Sequence, residues 1–161
     1  MNAILQEQPW TIRPLGVADL DELMPIEVRA YAFPWSRGNF VDSLASGYRA
    51  QGLWHAASPA QGLELVAYCW AMPGVGELHL LNITVKPELQ GSGMARCLLD
   101  DLVSFGRAQG LPLIWLEVRA SNQRARALYE RYGFQEVGLR RAYYPNAHST
   151  REDAVVMRLD L

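Results

Sequence analysis

Residues 82–96, Asn-Ile-Thr-Val-Lys-Pro-Glu-Leu-Gln-Gly-Ser-Gly-Met-Ala-Arg, constrain the fold more than any other stretch. An apolar-rich strand ends at Val85, a short turn follows, a loop carries Gly91 and Gly93, and a helical pattern begins. A junction of this kind aims the N–H groups of a loop and a helix start at one point. Backbone donors and the positive end of a helix dipole together bind phosphate. A phosphorylated cofactor is therefore expected. The same glycines also suit a plain tight strand-to-helix turn, so the loop by itself names no ligand.

The rest of the chain supplies a body for this loop. Its 161 residues are 50% hydrophobic and 20% charged, which fits a single domain over 1–161 with a packed core. Residues 1–8 read as a loose tail. A net charge of −2 gives no basic face for nucleic acid. Cys69 and Cys97 have no metal spacing and no CxxC pattern, and read as buried free thiols in a reducing compartment. The N-terminus lacks the basic and apolar regions of a signal peptide. No run approaches the roughly 20 apolar residues that span a bilayer. These features point to a cytoplasmic protein with no membrane contact. His55, His79 and His148 lack ligand spacing, so no metal is expected. The sequence leaves the oligomeric state open, with monomer as the default.

Periodicity gives the order of elements. Trp10–Arg13 alternates as a first strand. Asp19 and Glu22 form a capping-box pattern opening a helix to about Ala32, with Pro25 inside it expected to kink or restart it. Ser36 caps a second helix to about Leu44. Strands follow near 53–57, 63–71 and 77–85. The helix after the glycine loop runs to about Gln109 and ends at Gly110. Residues 112–119 form a strongly alternating strand. Ser121 or Asn122 opens a helix with Ala125, Leu128, Tyr129 and Tyr132 on one face. Gly133 ends it, and 134–142 and 152–160 are two last strands. This pattern is a mixed α/β sheet with helices on both sides.

Three phosphate-binding loops compete for residues 90–95. A dinucleotide fold wants G-x-G-x-x-G, but Arg96 stands where the third glycine belongs. A nucleotide P-loop wants a lysine after its last glycine, and none is present. Gln90-Gly91-Ser92-Gly93-Met94-Ala95 resembles the Q/R-x-x-G-x-G/A loop of the GCN5-related N-acetyltransferases (GNAT). Trp115-Leu116-Glu117-Val118-Arg119-Ala120-Ser121-Asn122, Leu128–Phe134, Ala32–Ser36, Arg140–Pro145 and Arg151–Ala154 resemble, in order, segments of one branch. That branch is the RimI-type ribosomal-protein-alanine acetyltransferases, and the likeness covers about residues 10–160. It implies a mostly antiparallel sheet of about seven strands, splayed in the middle, with about four helices. It also implies acetyl-CoA as cosubstrate and the N-terminal alanine of ribosomal small-subunit protein eighteen as acceptor.

The resemblance places roles residue by residue. Glu117, which in the alternation shares a strand face with Leu113 and Trp115, corresponds to the catalytic base. Read alone it is an exposed or ion-paired carboxylate, with Arg119 as partner. Tyr129 corresponds to the acid beside the cofactor sulfur, and its position on the helix stripe equally suits a core tyrosine. Ile83, Thr84 and Val85 present backbone to pantetheine. Gln90, Gly91, Ser92, Gly93, Met94, Ala95 and Arg96 surround the pyrophosphate. Asn122 reaches the pantetheine arm while competing for the helix cap that Ser121 can take instead. Phe33, Pro34 and Trp35, with Tyr143 and Tyr144, are candidate aromatic walls for the N-terminal peptide of a ribosomal protein. They serve equally well to seal the sheet ends. His79 and His148 have no part in this chemistry. A small-amine, antibiotic or lysine acetyltransferase, and a non-catalytic CoA-binding module, remain the alternatives.

Overall fold

The computed structural model describes residues 10–161 except Ala57 and Pro59. The stretch 1–8 lies outside the described residues. The chain runs β1 (Trp10–Pro14), α1 (Leu20–Ala30), α2 (Arg37–Ala45), β2 (Arg49–His55), β3 (Glu64–Gly74) and β4 (Glu77–Val85). It continues through α3 (Met94–Ala108), β5 (Leu113–Arg119), α4 (Gln123–Tyr132), β6 (Gln135–Pro145) and β7 (Arg151–Asp160). The seven strands form one sheet in the order β1-β2-β3-β4-β5-β7-β6. Every neighbouring pair is antiparallel except β4 and β5.

Local chemistry explains most boundaries. Ser36 Oγ accepts from the Asn39 N–H at 3.1 Å and caps α2. Gly110 (φ +67°) and Gly133 (φ +123°) stop α3 and α4 where a side chain would be strained. Two expectations are corrected. Asp19 does not cap α1; its Oδ2 accepts from Gly16 N–H at 2.8 Å, one turn earlier, and Glu22 instead reaches the Leu65 N–H at 3.4 Å. Of the kink or restart expected at Pro25, the restart does not occur: α1 runs on through it as one element. Strand β2 starts at Arg49, four residues before the apolar run that marks it in sequence.

Two cores lie on opposite faces of the sheet. One packs α1 and α2 on Leu65, Tyr68 and Trp70 through Leu20, Leu23, Ile26 and Phe40. The other packs α3 and α4 on Leu78, Leu80, Ile114 and Leu116 through Leu98, Leu99, Leu102 and Tyr129. Cys69 is buried and Cys97 only partly so. Burying a ring such as Phe40 is worth roughly 1.5–3 kcal/mol. Among the described residues no helix is long and apolar enough to cross a membrane.

A polar network sits inside the first core. Glu27 is 1% exposed and occupies the apolar stripe of α1, four residues after Leu23. Its carboxylate accepts from the Tyr68 hydroxyl, from Asn82 Nδ2 at 3.3 and 3.4 Å, and from the Trp35 N–H at 2.9 Å. It thus ties the loop between α1 and α2 to the centre of the sheet. Asn82 Oδ1 accepts from the Thr84 hydroxyl, which also contacts the Tyr31 hydroxyl, both at 2.7 Å. Glu27→Ala strands three donors at once and should cost about 3 kcal/mol. For a chain of this size that lowers Tm by about 6–12 °C in calorimetry. A shift below about 2 °C would show that the network does not hold this loop.

Candidate active site

The site begins with a mismatch between two strands. β4 and β5 pair in parallel only at Leu78–Ile114, His79–Trp115 and Leu80–Leu116. Just beyond, β3 pairs Ala71 with Leu80 and Trp70 with Asn82, which leaves Leu81 as an extra residue. An extra residue bends a strand and turns it from its neighbour. The ends of β4 and β5 therefore diverge, while β5 stays paired with β7 along its whole length.

The gap opens into a cavity of about 590 Å³. Ile83, Thr84 and Val85 line it along β4, residues 89–96 cap one end, and Asn122, Ala125, Leu128 and Tyr129 line it from α4. The eleven residues given a cofactor role by resemblance thus meet around one space. Arg124, Arg131 and Tyr31 join them there without a distinguishing mark in the sequence.

At the loop end, Gly91 (φ +83°) and Gly93 (φ +88°) take the left-handed conformation. A Cβ on Gly93 would meet nothing within 4 Å, so backbone conformation, not space, requires glycine there. Among the described residues the N–H groups of Gly91, Ser92 and Gly93 have no acceptor within the protein. The first N–H groups of α3 have none within the helix. Arg96, Arg124 and Arg131 stand nearby, and none pairs with a carboxylate among the described residues. Free amides and unpaired guanidinium groups together make a seat for phosphate.

Asn122 settles the competition for the α4 cap. Its Oδ1 accepts from the Ala125 N–H at 3.2 Å, which leaves its Nδ2 to face the cavity. Tyr129 lies on the same lining with its ring edge-on to Phe134 at 5.6 Å. Burial pushes its hydroxyl pKa well above the usual phenol range. The Tyr31 hydroxyl contacts the Ile83 carbonyl at 3.1 Å and is pushed up to about 12, chiefly by burial.

Glu117 stands on the other side of the strand ends. Its side chain is 5% exposed. His79 Nε2 lies 2.5 Å from Oε2, and Arg140 Nε lies 3.4 Å from Oε1. Arg119, the partner expected from sequence, pairs instead with Glu152 at 3.0 Å and donates to the Pro145 carbonyl at 2.9 Å. Its guanidinium lies 4.6 Å from the Tyr144 ring centre and 5.3 Å from that of Phe33. Arg119 therefore clips two of the candidate acceptor walls together. Tyr143 packs edge-on to Tyr144 at 4.9 Å. Both hydroxyls are pushed up, first by burial and then by the negative charge of Glu117. Phe33 is exposed, whereas the half-buried Trp35 ring packs on Phe40 at 5.1 Å, at the edge of the core.

Two side chains tied into the surroundings of the site escaped the sequence reading. Glu27 carried a signal, a carboxylate on an apolar helix stripe. His79 carried one only in hindsight of register, because its tie to Glu117 needs β4 and β5 aligned in parallel. Among the described residues no group of three or more His, Cys, Asp or Glu side chains is placed to hold a metal ion.

Comparison with known proteins gives the family and the fold. Residues 20–134 match the model of the Acetyltransferase (GNAT) family. The chain is 39% identical over 151 residues to the [ribosomal protein bS18]-alanine N-acetyltransferase of Escherichia coli K12, covering 94% of this chain and 97% of that one. The crystal structure of the Escherichia coli ribosomal-protein-S18-alanine N-acetyltransferase superposes with a TM-score of 0.81 at 38% identity, covering 94% and 93% of the two chains. Arabidopsis thaliana Naa50, in complex with the bisubstrate analogue CoA-Ac-MVNAL, shares the fold at 16% identity and a TM-score of 0.77, with 96% and 100% covered.

Proposed function

The chain belongs to the acetyltransferase (GNAT) family, and on that premise we propose that it moves acetyl from acetyl-CoA to the N-terminal alanine of ribosomal protein bS18. Near-full-length identity to the Escherichia coli enzyme named for that reaction supports the acceptor. One observation carries the chemistry: an amide-lined cavity with Tyr129 on its wall opens where β4 leaves β5, beside the buried carboxylate of Glu117. Such an acceptor places the protein in the cytoplasm, where ribosomal proteins are made.

An α-amine has a pKa near 8, against about 10.4 for lysine, so on the order of a tenth is neutral at pH 7. A modest base suffices for it. In the proposed reaction the α-ammonium gives a proton to Glu117, and the amine nitrogen attacks the thioester carbonyl. The new C–N bond forms, the C–S bond breaks, and the departing thiolate meets the Tyr129 hydroxyl. Gln90–Arg96, with Arg124 and Arg131, seat the pyrophosphate. Thr84 and the backbone of Ile83 and Val85 carry the pantetheine, which Asn122 Nδ2 also reaches. Phe33, Tyr143 and Tyr144 flank the peptide.

Purified protein, acetyl-CoA and a synthetic bS18 N-terminal peptide should give a product acetylated at the α-amine by mass spectrometry. Modification of lysine side chains or polyamines alone would overturn the assigned acceptor, and CoA binding without any transfer would make the chain a binding module. Glu117→Gln should lower kcat/KM at pH 7 on the order of 100-fold and shift its profile to higher pH, because the amine must then bind already neutral. Tyr129→Phe should lower kcat about tenfold while leaving acetyl-CoA affinity within about twofold. A loss of affinity alone would make it a packing residue. Gly93→Ala forces a left-handed alanine costing about 1–2 kcal/mol, so titration calorimetry should show CoA binding about 5–30-fold weaker.

A further inference from the structure

Glu117 is an unusual base, because both of its oxygens are already engaged. Oε1 faces Arg140 at 3.4 Å, and Oε2 faces His79 Nε2 at 2.5 Å. At that second distance one proton lies between the atoms, since two facing lone pairs would repel. With Glu117 ionised, as a base requires, His79 presents Nε2–H to the carboxylate, either as a neutral ring or as an imidazolium. The two states have opposite consequences. A neutral ring donates one hydrogen bond and leaves the carboxylate its negative charge and its basicity. An imidazolium makes a second ion pair beside that of Arg140, stabilises the carboxylate and removes its appetite for a proton.

The ring is built into this position. It stacks on Trp115, with centres 3.6 Å apart and planes 12° from parallel. Leu78 and Leu80 face the core under α3 and α4, so strand alternation points His79 to the α1 side with Glu117. The His79 side chain is 11% exposed. Its Nδ1 has no hydrogen bond among the described residues and is not a sealed, partnerless atom, so water supplies or removes the proton there.

The groups around the pair are few. From β6 come Arg140 and the hydroxyls of Tyr143 and Tyr144. Arg158 of β7 lies opposite Trp115 and is held by Asp160 at 2.8 Å. The strand β3 offers the uncharged Met72 opposite His79. Glu27 of α1 is on the same side of the sheet, engaged by Tyr68, Asn82 and Trp35.

We propose that His79 is the positioning residue that switches the base: neutral, it holds Glu117 ready for the α-ammonium, and protonated, it locks Glu117 in an ion pair. The proposal rests on the acetyltransferase reading above. Transfer is then on while the His79 ring is neutral and is lost as falling pH protonates it. The acid limb of kcat/KM then belongs to His79 rather than to Glu117 alone.

The test uses His79→Gln, which keeps an N–H donor at the Nε2 position but cannot titrate, and His79→Phe, which keeps the stacking ring and loses the donor. His79→Gln should hold the rate above pH 8 within about threefold and move the acid limb down by on the order of one pH unit. His79→Phe should lose activity at every pH. An acid limb unmoved in His79→Gln, or equal losses at all pH in both variants, would overturn the switch. An NMR titration of the His79 ring reads the pair without catalysis. Glu117→Gln removes the carboxylate that favours the imidazolium, so the His79 pKa should fall by on the order of one unit. An unchanged His79 titration would overturn the proposal even in an active enzyme. A shifted titration in a protein that acetylates nothing would leave the pair standing and sink the acetyltransferase reading instead.

Discussion

The divergence of β4 from β5 is the constraint on which the site depends. It is produced by one extra residue, Leu81, just beyond the three residues at which β4 pairs with β5. Unpaired strand edges are normally a liability. Here the edge of Ile83–Val85 becomes the wall of a cavity that also receives the amide groups of the glycine loop. A regular ladder, with Leu81 itself opposite Trp70, would turn Asn82 and Thr84 out of the α1 core, since side chains alternate along a strand. It would also disconnect the Glu27 network from the sheet. The opening of the gap and the anchoring of the acceptor loop are thus two results of one irregularity.

Two buried carboxylates flank this gap and are held differently. Glu27 is satisfied by neutral donors alone: a phenol, a carboxamide and a backbone N–H. Glu117 has an imidazole and a guanidinium. A carboxylate fixed by neutral donors makes a rigid joint whose charge changes nothing nearby. One facing an imidazole, which can be neutral or charged, has an adjustable basicity. The first arrangement suits a scaffold and the second suits proton transfer, although both side chains are similarly hidden from water.

Much of the fold was legible because its signals are local. The alternation of 112–119, the Ser36 cap and the glycines at 110 and 133 each act within a few residues, and each marks a true boundary. The glycine loop was legible for the same reason. The surroundings of Glu117 were not. Arg119 is two residues away in sequence, on the same strand face, and was the natural partner. Arg140 and His79 reach Glu117 only through the pairing of four strands, which periodicity does not encode. Trp35 shows the same limit: a tryptophan after Phe-Pro in a loop looks like a binding wall, and the sequence does not show that its N–H is bound to Glu27 or that its ring packs on Phe40.

The state of Tyr129 narrows what it can do in the proposed reaction. Burial makes its hydroxyl a weaker acid than an ordinary phenol, and a phenol is already weaker than a thiol near 8.5. Outright transfer of its proton to the thiolate would therefore run uphill and leave a buried phenolate. A hydrogen bond to the sulfur has no such cost and still stabilises the charge as the C–S bond lengthens. The proton balance agrees. An α-ammonium that becomes an amide N–H loses two protons: one goes to Glu117 before attack, and the second is shed after the C–N bond has formed. That second proton is acidic enough to neutralise the thiolate, with Tyr129 passing it on and never remaining ionised. Glu117 thus governs whether attack begins, and Tyr129 governs how easily the sulfur leaves.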